Sequence, residues 1–183
     1  LKHDQLRTQF LIVEGRPAQD LVECSPVPFE QQEAQLRPDE TLDEYVARAA
    51  AQEAQRPFML EGHLLWRVKL VRLGEQDHLL LVTLHHAIAD GWSLNLLLAD
   101  MVGTYCALRG GKPVPLPSPT VRYADYAQWQ REWMTGEVLD RELNYWKRTL
   151  GGAPSMLSLQ TDHARPTVQT FRGARHNFTV PSN

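Results

Sequence analysis

The sequence predicts an α/β protein, because segments with the periodicity of strands alternate with segments with the periodicity of helices. Residues 63–73 alternate between two faces, and residues 79–84 are almost wholly apolar. An apolar run of this length is typical of a strand buried on both faces, which does not suit a sheet edge. Apolar residues then recur at helical spacing from Leu94 to Leu108. The central strand therefore leads directly into a helix, as in layered α/β folds.

The composition is that of an ordinary soluble domain and argues against several classes of protein. The 183 residues are 43% hydrophobic and 22% charged, which allows a sizeable core. The formal net charge of -3 argues against a nucleic-acid partner, and no apolar run reaches membrane-spanning length. Cys24 and Cys106 lie far apart and form no CxxC pair, which favours a reducing compartment, the cytoplasm.

The first half of the chain carries signals for a hairpin and a helix. Residues 8–13 are predicted as a strand, residues 14–17 as a turn and residues 18–23 as the pairing strand. Asp39 or Thr41 is a candidate helix cap, and the helix ends before Pro57. One face of that helix would be apolar, formed by Leu42, Tyr45, Val46 and Ala49.

The second half predicts three helices and a last strand. The helix after the central strand should stop at Arg109-Gly110-Gly111, and a proline-rich linker follows it. An aromatic stripe predicts a buried helix face, and a last helix precedes Gly151. Residues 169–180 are predicted as a strand. The expected buried stripes comprise Leu94, Leu97, Leu98, Met101, Val102, Tyr105 and Leu108; then Tyr123, Tyr126, Trp129 and Trp133; then Leu139, Leu143, Trp146 and Leu150.

Two histidines and an aspartate stand where the central strand ends and the helix begins. A neutral imidazole can accept a proton near pH 7 or hydrogen-bond a reacting group. Side chains alternate across a strand, so His85 and His86 should face opposite sides, and only one can serve a given pocket. For the same reason they cannot both ligate one metal ion, and no metal site is predicted. Asp90 is either the N-cap of the helix or a buried carboxylate that needs a cationic partner.

The full string His-His-x-x-x-Asp-Gly followed by Trp92 and Ser93 closely resembles the core motif of condensation domains of nonribosomal peptide synthetases. These domains belong to the chloramphenicol-acetyltransferase-like superfamily. The segment from Lys2 to Phe10 resembles a second family motif, Arg-His-Glu-x-Leu-Arg-Thr-x-Phe, from which Lys2 and Asp4 depart. Residues 123–129 match a third, Tyr-x-Asp-(Phe/Tyr)-Ala-x-Trp.

The resemblance implies an α/β sandwich with a mixed sheet flanked by helices. Residues 1–183 would be the N-terminal lobe of a condensation domain, without its first strand and helix and without the whole C-terminal lobe. In the family, two such lobes form a V with a tunnel between them. We therefore expect His86 at an open edge or cleft, an apolar surface where the second lobe would pack, and no condensation by these residues alone.

The implied reaction joins a donor acyl or peptidyl thioester to the amine of an acceptor aminoacyl thioester. Both substrates are carried on the phosphopantetheine of peptidyl carrier proteins. An adenylation domain is the expected neighbour, and no tightly bound cofactor, nucleic acid or membrane is expected. An α-amine has a pKa of about 7.7 to 8.0 and a thioester is already activated, so placement of the two substrates should supply much of the rate.

The resemblance also implies roles for the motif residues. His86 would contact the amine, either as general base or as an orienting group, while His85 is structural. Asp90 would brace the loop through Arg7 or Lys2. Gly91 would take part in catalysis by permitting the bend and placing a backbone N–H near the reacting oxygen, and Trp92 and Ser93 would give the site structural support.

Three other functions fit a motif of this kind. The first is a coenzyme A-dependent acyltransferase with an alcohol acceptor. The second is a non-catalytic condensation-like domain that recruits partners, and the third is an epimerising relative. The intact histidines, aspartate and glycine favour an active domain, and the Asp-Gly-Trp-Ser ending favours condensation over epimerisation.

Overall fold

The computed structural model describes residues 2–23, 26–114, 119–156, 159–164, 166–168, 170, 173 and 176–181. The chain divides into two units, Leu1–Trp133 and Met134–Asn183. Among the described residues, the first unit contains both β-sheets and three α-helices, and the second contains one α-helix. The predicted site residues all lie in the first unit.

A hairpin follows a short 3-10 helix, Asp4–Arg7, as the sequence predicts. Strand β1 (Thr8–Val13) pairs antiparallel with β2 (Arg16–Leu21). The turn places Glu14 and Gly15 at φ angles of 51° and 75°, the left-handed conformation that tight hairpin turns require. A bond of 2.8 Å from the Gly62 N–H to the Phe10 carbonyl ties the hairpin to the chain before β4.

The second sheet is mixed, which confirms the predicted fold class. Its strands are β3 (Phe29–Glu33), β4 (Trp66–Arg72) and β5 (His78–Leu84), in the order β3-β4-β5. Strand β3 runs parallel to β4, and β5 runs antiparallel to it. The sequence did not predict β3, because all five of its residues are exposed and its polar composition shows no alternation.

The prediction that β5 is buried on both faces, away from a sheet edge, is wrong for the described residues. Among the described strands, β5 pairs only with β4 and lies at the edge of its sheet. Leu79 and Leu81 pack on the core formed by Tyr45, Ala49 and Val71, whereas Leu80 on the opposite face is 46% exposed. An apolar run shows that side chains favour burial, but it does not show that a neighbour covers each face.

Helix α1 (Leu42–Gln55) begins at a capping box that decides between the two candidate caps. The Glu44 N–H donates to Thr41 Oγ1 at 3.3 Å, and the Thr41 N–H donates to Glu44 Oε2 at 2.8 Å. Asp39 precedes the cap in a left-handed conformation, with φ of 62°. The predicted apolar face is buried at Tyr45 and Ala49 but exposed at Leu42, in the first turn.

The other three helices form where the sequence predicts them, but their apolar stripes are mostly uncovered. Helix α2 spans Gly91–Arg109 and buries only Leu97. Helices α3 (Tyr123–Trp133) and α4 (Gly136–Leu150) bury no residue fully, so the expected core stripes are wrong as burial predictions. Helical spacing fixes which residues share a face, while burial needs a second surface against that face. The exposed stripe residues include Leu98, Val102, Tyr105, Leu108, Trp129, Trp133, Leu143 and Trp146.

Three further sequence expectations concern the ends and the cysteines. The predicted strand over 169–180 does not form in the residues of that range that are described, 170, 173 and 176–180. The other residues of that range, and much of the proline-rich linker, lie outside the described residues. Cys106 is exposed and free, and Cys24 lies outside the described residues. Within the described ranges, no helix has the length and apolar character needed to cross a lipid bilayer.

Candidate active site

The motif loop, residues 85–90, connects the end of β5 to the start of α2. Strand β5 ends at Leu84, so both histidines lie in the turn that follows the strand. The His85 N–H donates to the Leu65 carbonyl at 2.8 Å, and the Ile88 N–H donates to the His85 carbonyl at 3.0 Å. Leu65 is fully buried, so the first residue of the loop is fixed to the core. This turn, rather than strand alternation, gives the two histidines different surroundings.

The His85 imidazole is occupied by the protein itself. Its Nδ1 accepts the Ala87 N–H at 3.0 Å, which closes the turn. The ring also meets the Phe58 ring edge to face, with centroids 5.9 Å apart and planes at 83°. The ring and one of its nitrogens are therefore already engaged by the protein.

The His86 side chain is exposed and lies between two clefts, as expected for a group at an open site. None of the described residues hydrogen-bonds its imidazole, so both ring nitrogens can reach a substrate. The smaller cleft, about 140 Å³, is bounded by the 3-10 helix and α3; we name it the Tyr123 cleft. The larger, about 430 Å³, lies between α1 and β5; we name it the Leu81 cleft.

The two clefts share a short common wall. Both are lined by His86, Ala89 and Asp90. Gln5 and Tyr123 also line the Tyr123 cleft, while the Leu81 cleft continues along residues 81–84 of β5. A group bound in either cleft can therefore contact the same imidazole.

Asp90 is the N-cap of α2, which was one of the two predicted roles. Its Oδ1 accepts the Ser93 N–H at 2.8 Å and the Ser93 hydroxyl at 2.7 Å. The Ser93 backbone hydrogen bond, followed by the hydroxyl bond, lowers the pKa of the Asp90 carboxyl. Asp90 is therefore an exposed carboxylate satisfied by its own helix.

The expected ion pair from Asp90 to Arg7 or Lys2 is not formed, because both cations have other partners. Lys2 Nζ lies 2.9 Å from Asp100 in the third turn of α2, and His3 Nε2 lies 2.7 Å from the same carboxylate. Arg7 pairs with Asp4 at 2.5 Å and also donates to the Val22 carbonyl. These two cations thus attach the N-terminal segment to α2 and to the hairpin rather than to the motif loop.

The three residues after Asp90 differ in how they support the site. Ser93 does so directly, through its two bonds to Asp90. Trp92 is 77% exposed, so little of its ring is buried against the rest of the chain. Gly91 does not have a positive φ, and a Cβ there would meet no heavy atom within 4 Å, so the expected glycine-dependent bend is wrong. Its N–H lies at the start of α2, where a helix offers no partner.

Sequence reasoning missed a buried ion cluster beside the loop. Glu53 on α1 is only 4% exposed and pairs with Arg67 and Lys69 of β4. Burial opposes the charge and raises the Glu53 pKa, but the hydrogen bonds from Arg67 and Lys69 outweigh it, so the net shift is downward. The available signal was the alternation over residues 65–71, which places Arg67 and Lys69 on the same face as the apolar Leu65 and Val71.

The described residues contain no group of three or more histidine, cysteine, aspartate or glutamate side chains placed to hold a metal ion. The site itself presents an exposed imidazole, a capped helix start and two clefts.

Comparison with known proteins is consistent across sequence and structure. The Condensation domain family matches residues 1–183. A linear gramicidin synthase polypeptide from Brevibacillus parabrevis is 36% identical over 99% of this chain and 2% of its own length. Phosphinothricin tripeptide synthetase PhsC of Streptomyces viridochromogenes is 36% identical over 99% of this chain and 17% of its own. The chain thus spans a small part of the curated relatives it matches.

Solved structures give the same result. The X-domain from teicoplanin biosynthesis aligns with a TM-score of 0.74 and 26% identity, over 90% of this chain and 36% of that one. A structure that describes condensation domain-mediated chain release from the enacyloxin polyketide synthase aligns with a TM-score of 0.64 and 34% identity, over 83% of this chain and 29% of that one. The epimerization domain from the third module of tyrocidine synthetase B aligns with a TM-score of 0.67 and 26% identity, over 89% of this chain and 36% of that one. The family match over the whole chain, together with the mixed sheet and the exposed His86, shows that this chain belongs to the condensation-domain family.

Proposed function

We propose that this chain supplies the histidine-bearing wall of an amide-forming condensation site. The acceptor amine forms a C–N bond to the donor carbonyl, and the donor thiol leaves. The proton lost by the amine passes to the departing thiolate, directly or through His86. Both substrates are thioesters on the phosphopantetheine of carrier proteins, and an adenylation domain and a second lobe are the remaining partners, all in the cytoplasm.

The single observation that carries this proposal is the place of His86 on a wall common to two clefts. A donor in one cleft and an acceptor in the other would both reach its imidazole, whose nitrogens are not engaged by the described residues. Because an amine is already a fair nucleophile and a thioester an activated acyl group, orientation by His86 is as valuable as proton removal.

Asp90 and Gly91 act in this proposal through the start of α2. Asp90 fixes the first turn by accepting two bonds from Ser93, and the Gly91 N–H precedes those bonded groups. A backbone N–H at this position can stabilise the oxygen that becomes negative as the amine attacks. Asp90 is then a positioning residue.

The test uses the complete protein that carries this segment, with donor and acceptor carrier proteins loaded. We expect His86→Ala to lower the rate of dipeptidyl product, followed by mass spectrometry, roughly hundred-fold or more, as for loss of an acid–base group. His78→Ala is the matched control, because His78 is an exposed histidine at the far end of the same strand. It should retain the full rate.

Wild-type turnover by a folded His86→Ala protein would show that His86 does not serve the reaction. The same assay separates the other functions. Inverted stereochemistry at the carrier-bound residue without a dipeptide indicates epimerisation, transfer from coenzyme A to an alcohol indicates the related acyltransferase, and retention of a partner without turnover indicates recruitment.

A further inference from the structure

A buried arginine beside the motif loop has no role in the chemistry just described. The Arg67 guanidinium pairs with the Glu53 carboxylate and donates to the carbonyls of Glu53 at 2.8 Å and Arg56 at 2.7 Å. Burying a charge is unfavourable unless its partners are well placed, and here they hold the guanidinium in one orientation. Arg67 is therefore a rigid group whose flat face has a fixed direction.

That face lies against an aromatic ring. The Arg67 guanidinium carbon is 4.0 Å from the centroid of Phe58, well within the range of a cation–π contact. Phe58 follows α1 and is half-buried, and its ring lies between the Arg67 guanidinium and the His85 imidazole.

Phe58 in turn meets His85. The two rings are perpendicular, with centroids 5.9 Å apart, and the opposite side of the turn is held by the Ala87 N–H bound to His85 Nδ1. If the Phe58 ring were lost, the His85 imidazole could rotate away from the Ala87 N–H, and the bond that closes the turn would weaken. Because His86 lies between the two residues that this bond joins, its backbone could then shift and change the direction of its side chain.

We propose that Arg67 and Phe58 are positioning residues for His86, acting through the His85 ring. This proposal rests on the proposed function of His86. It explains why an ion cluster is buried beside a loop whose own reactive residue is exposed.

The test is a double-mutant cycle in the complete protein, with steady-state turnover of the loaded carriers. We expect Phe58→Leu, which keeps an apolar side chain but removes the ring, to lower kcat about ten-fold while KM for both carriers is unchanged. Phe58→Tyr keeps the ring and should therefore retain the wild-type kcat. Phe29→Leu is the matched control, since Phe29 is a half-exposed phenylalanine on β3 that borders the same cleft as Phe58 but has no ring contact with Arg67 or His85.

The cycle separates this proposal from that of His86 itself. In the His86→Ala background, Phe58→Leu should change kcat less than about two-fold, because the group that it positions is gone. An undiminished kcat in folded Phe58→Leu, or an equal loss in both backgrounds, overturns the positioning role. A wild-type rate for His86→Ala alone would instead overturn the proposed function, whatever Phe58→Leu does.

Arg67→Lys provides a second measurement that does not depend on the leucine variant. Lysine keeps the charge beside Glu53 but lacks the planar face that contacts Phe58. We expect a kcat reduced as in Phe58→Leu and an unchanged KM. A folded Arg67→Lys protein with wild-type kcat would remove Arg67 from the network.

Discussion

The two ends of the motif loop are held in different ways. At the sheet end, His85 bonds the fully buried Leu65, just before β4, and its ring contacts Phe58, which in turn contacts Arg67 of the buried ion cluster. At the helix end, Asp90 is exposed and bonds only within its own first turn. His86 stands beside the strongly held end.

This difference separates long-range support from local support. The sheet end depends on residues from α1 and β4, far away in sequence, whereas the helix end depends on a partner three residues away. The short motif therefore contains both partners of the contact at the helix end, but almost none of the residues that hold the sheet end. Substitutions at the two ends should differ in the size of their effect and in its response to pH.

The largest effect should come from the ion cluster at the sheet end. Arg67→Met leaves Glu53 buried with Lys69 alone, 3.1 Å away, and we expect a loss of about 3 kcal/mol in the free energy of unfolding. Arg72→Met is the matched control: Arg72 lies on the same strand, but its ion pair with Glu33 is exposed, so its loss should cost less than about 1 kcal/mol. Denaturant unfolding of the complete protein measures both, and equal losses would contradict the contrast.

A smaller, pH-dependent effect should come from Glu53. Its folded pKa lies below the unfolded value of about 4.3, so the stability that its charge contributes is fully present above that value. It is lost as the pH falls through the lowered folded pKa. Glu53→Gln should therefore be less stable than wild type at neutral pH and show a flatter decline in acid. Parallel acid curves for the two proteins would exclude this contribution.

The smallest effect should come from the helix end. Asp90→Ala removes the cap of α2 and should lower the thermal midpoint by about 2 to 4 °C, whereas Asp90→Asn, which keeps the cap but not the charge, should lower it less at neutral pH. The charge-dependent part, present above the usual aspartate pKa, should disappear as acid protonates the carboxyl. A loss as large as that of Arg67→Met would mean that Asp90 has a buried ionic partner after all.

Sequence patterns predicted the elements of this fold more reliably than their surroundings. Periodicity and capping signals located α1, α2 and the hairpin, because these depend on nearby residues. They did not show that β5 would lie at a sheet edge or that β3 exists, since both depend on pairing across the sheet. The motif identified His86, but the partners of Lys2 and Arg7 followed from tertiary contacts that no local pattern contains.

The aromatic ladder of α3 has a consequence for optical spectroscopy. The centroids of successive aromatic rings along this helix lie 5.4–5.9 Å apart, and the indole planes of Trp129 and Trp133 are nearly parallel, at 7°. Two indoles stacked in this way couple their ultraviolet transitions, so breaking the stack should change the circular dichroism of the protein. Because both are also about half exposed, any surface that covers α3 would shift their fluorescence to shorter wavelength. The tryptophan fluorescence of α3 therefore indicates whether another surface covers the helix.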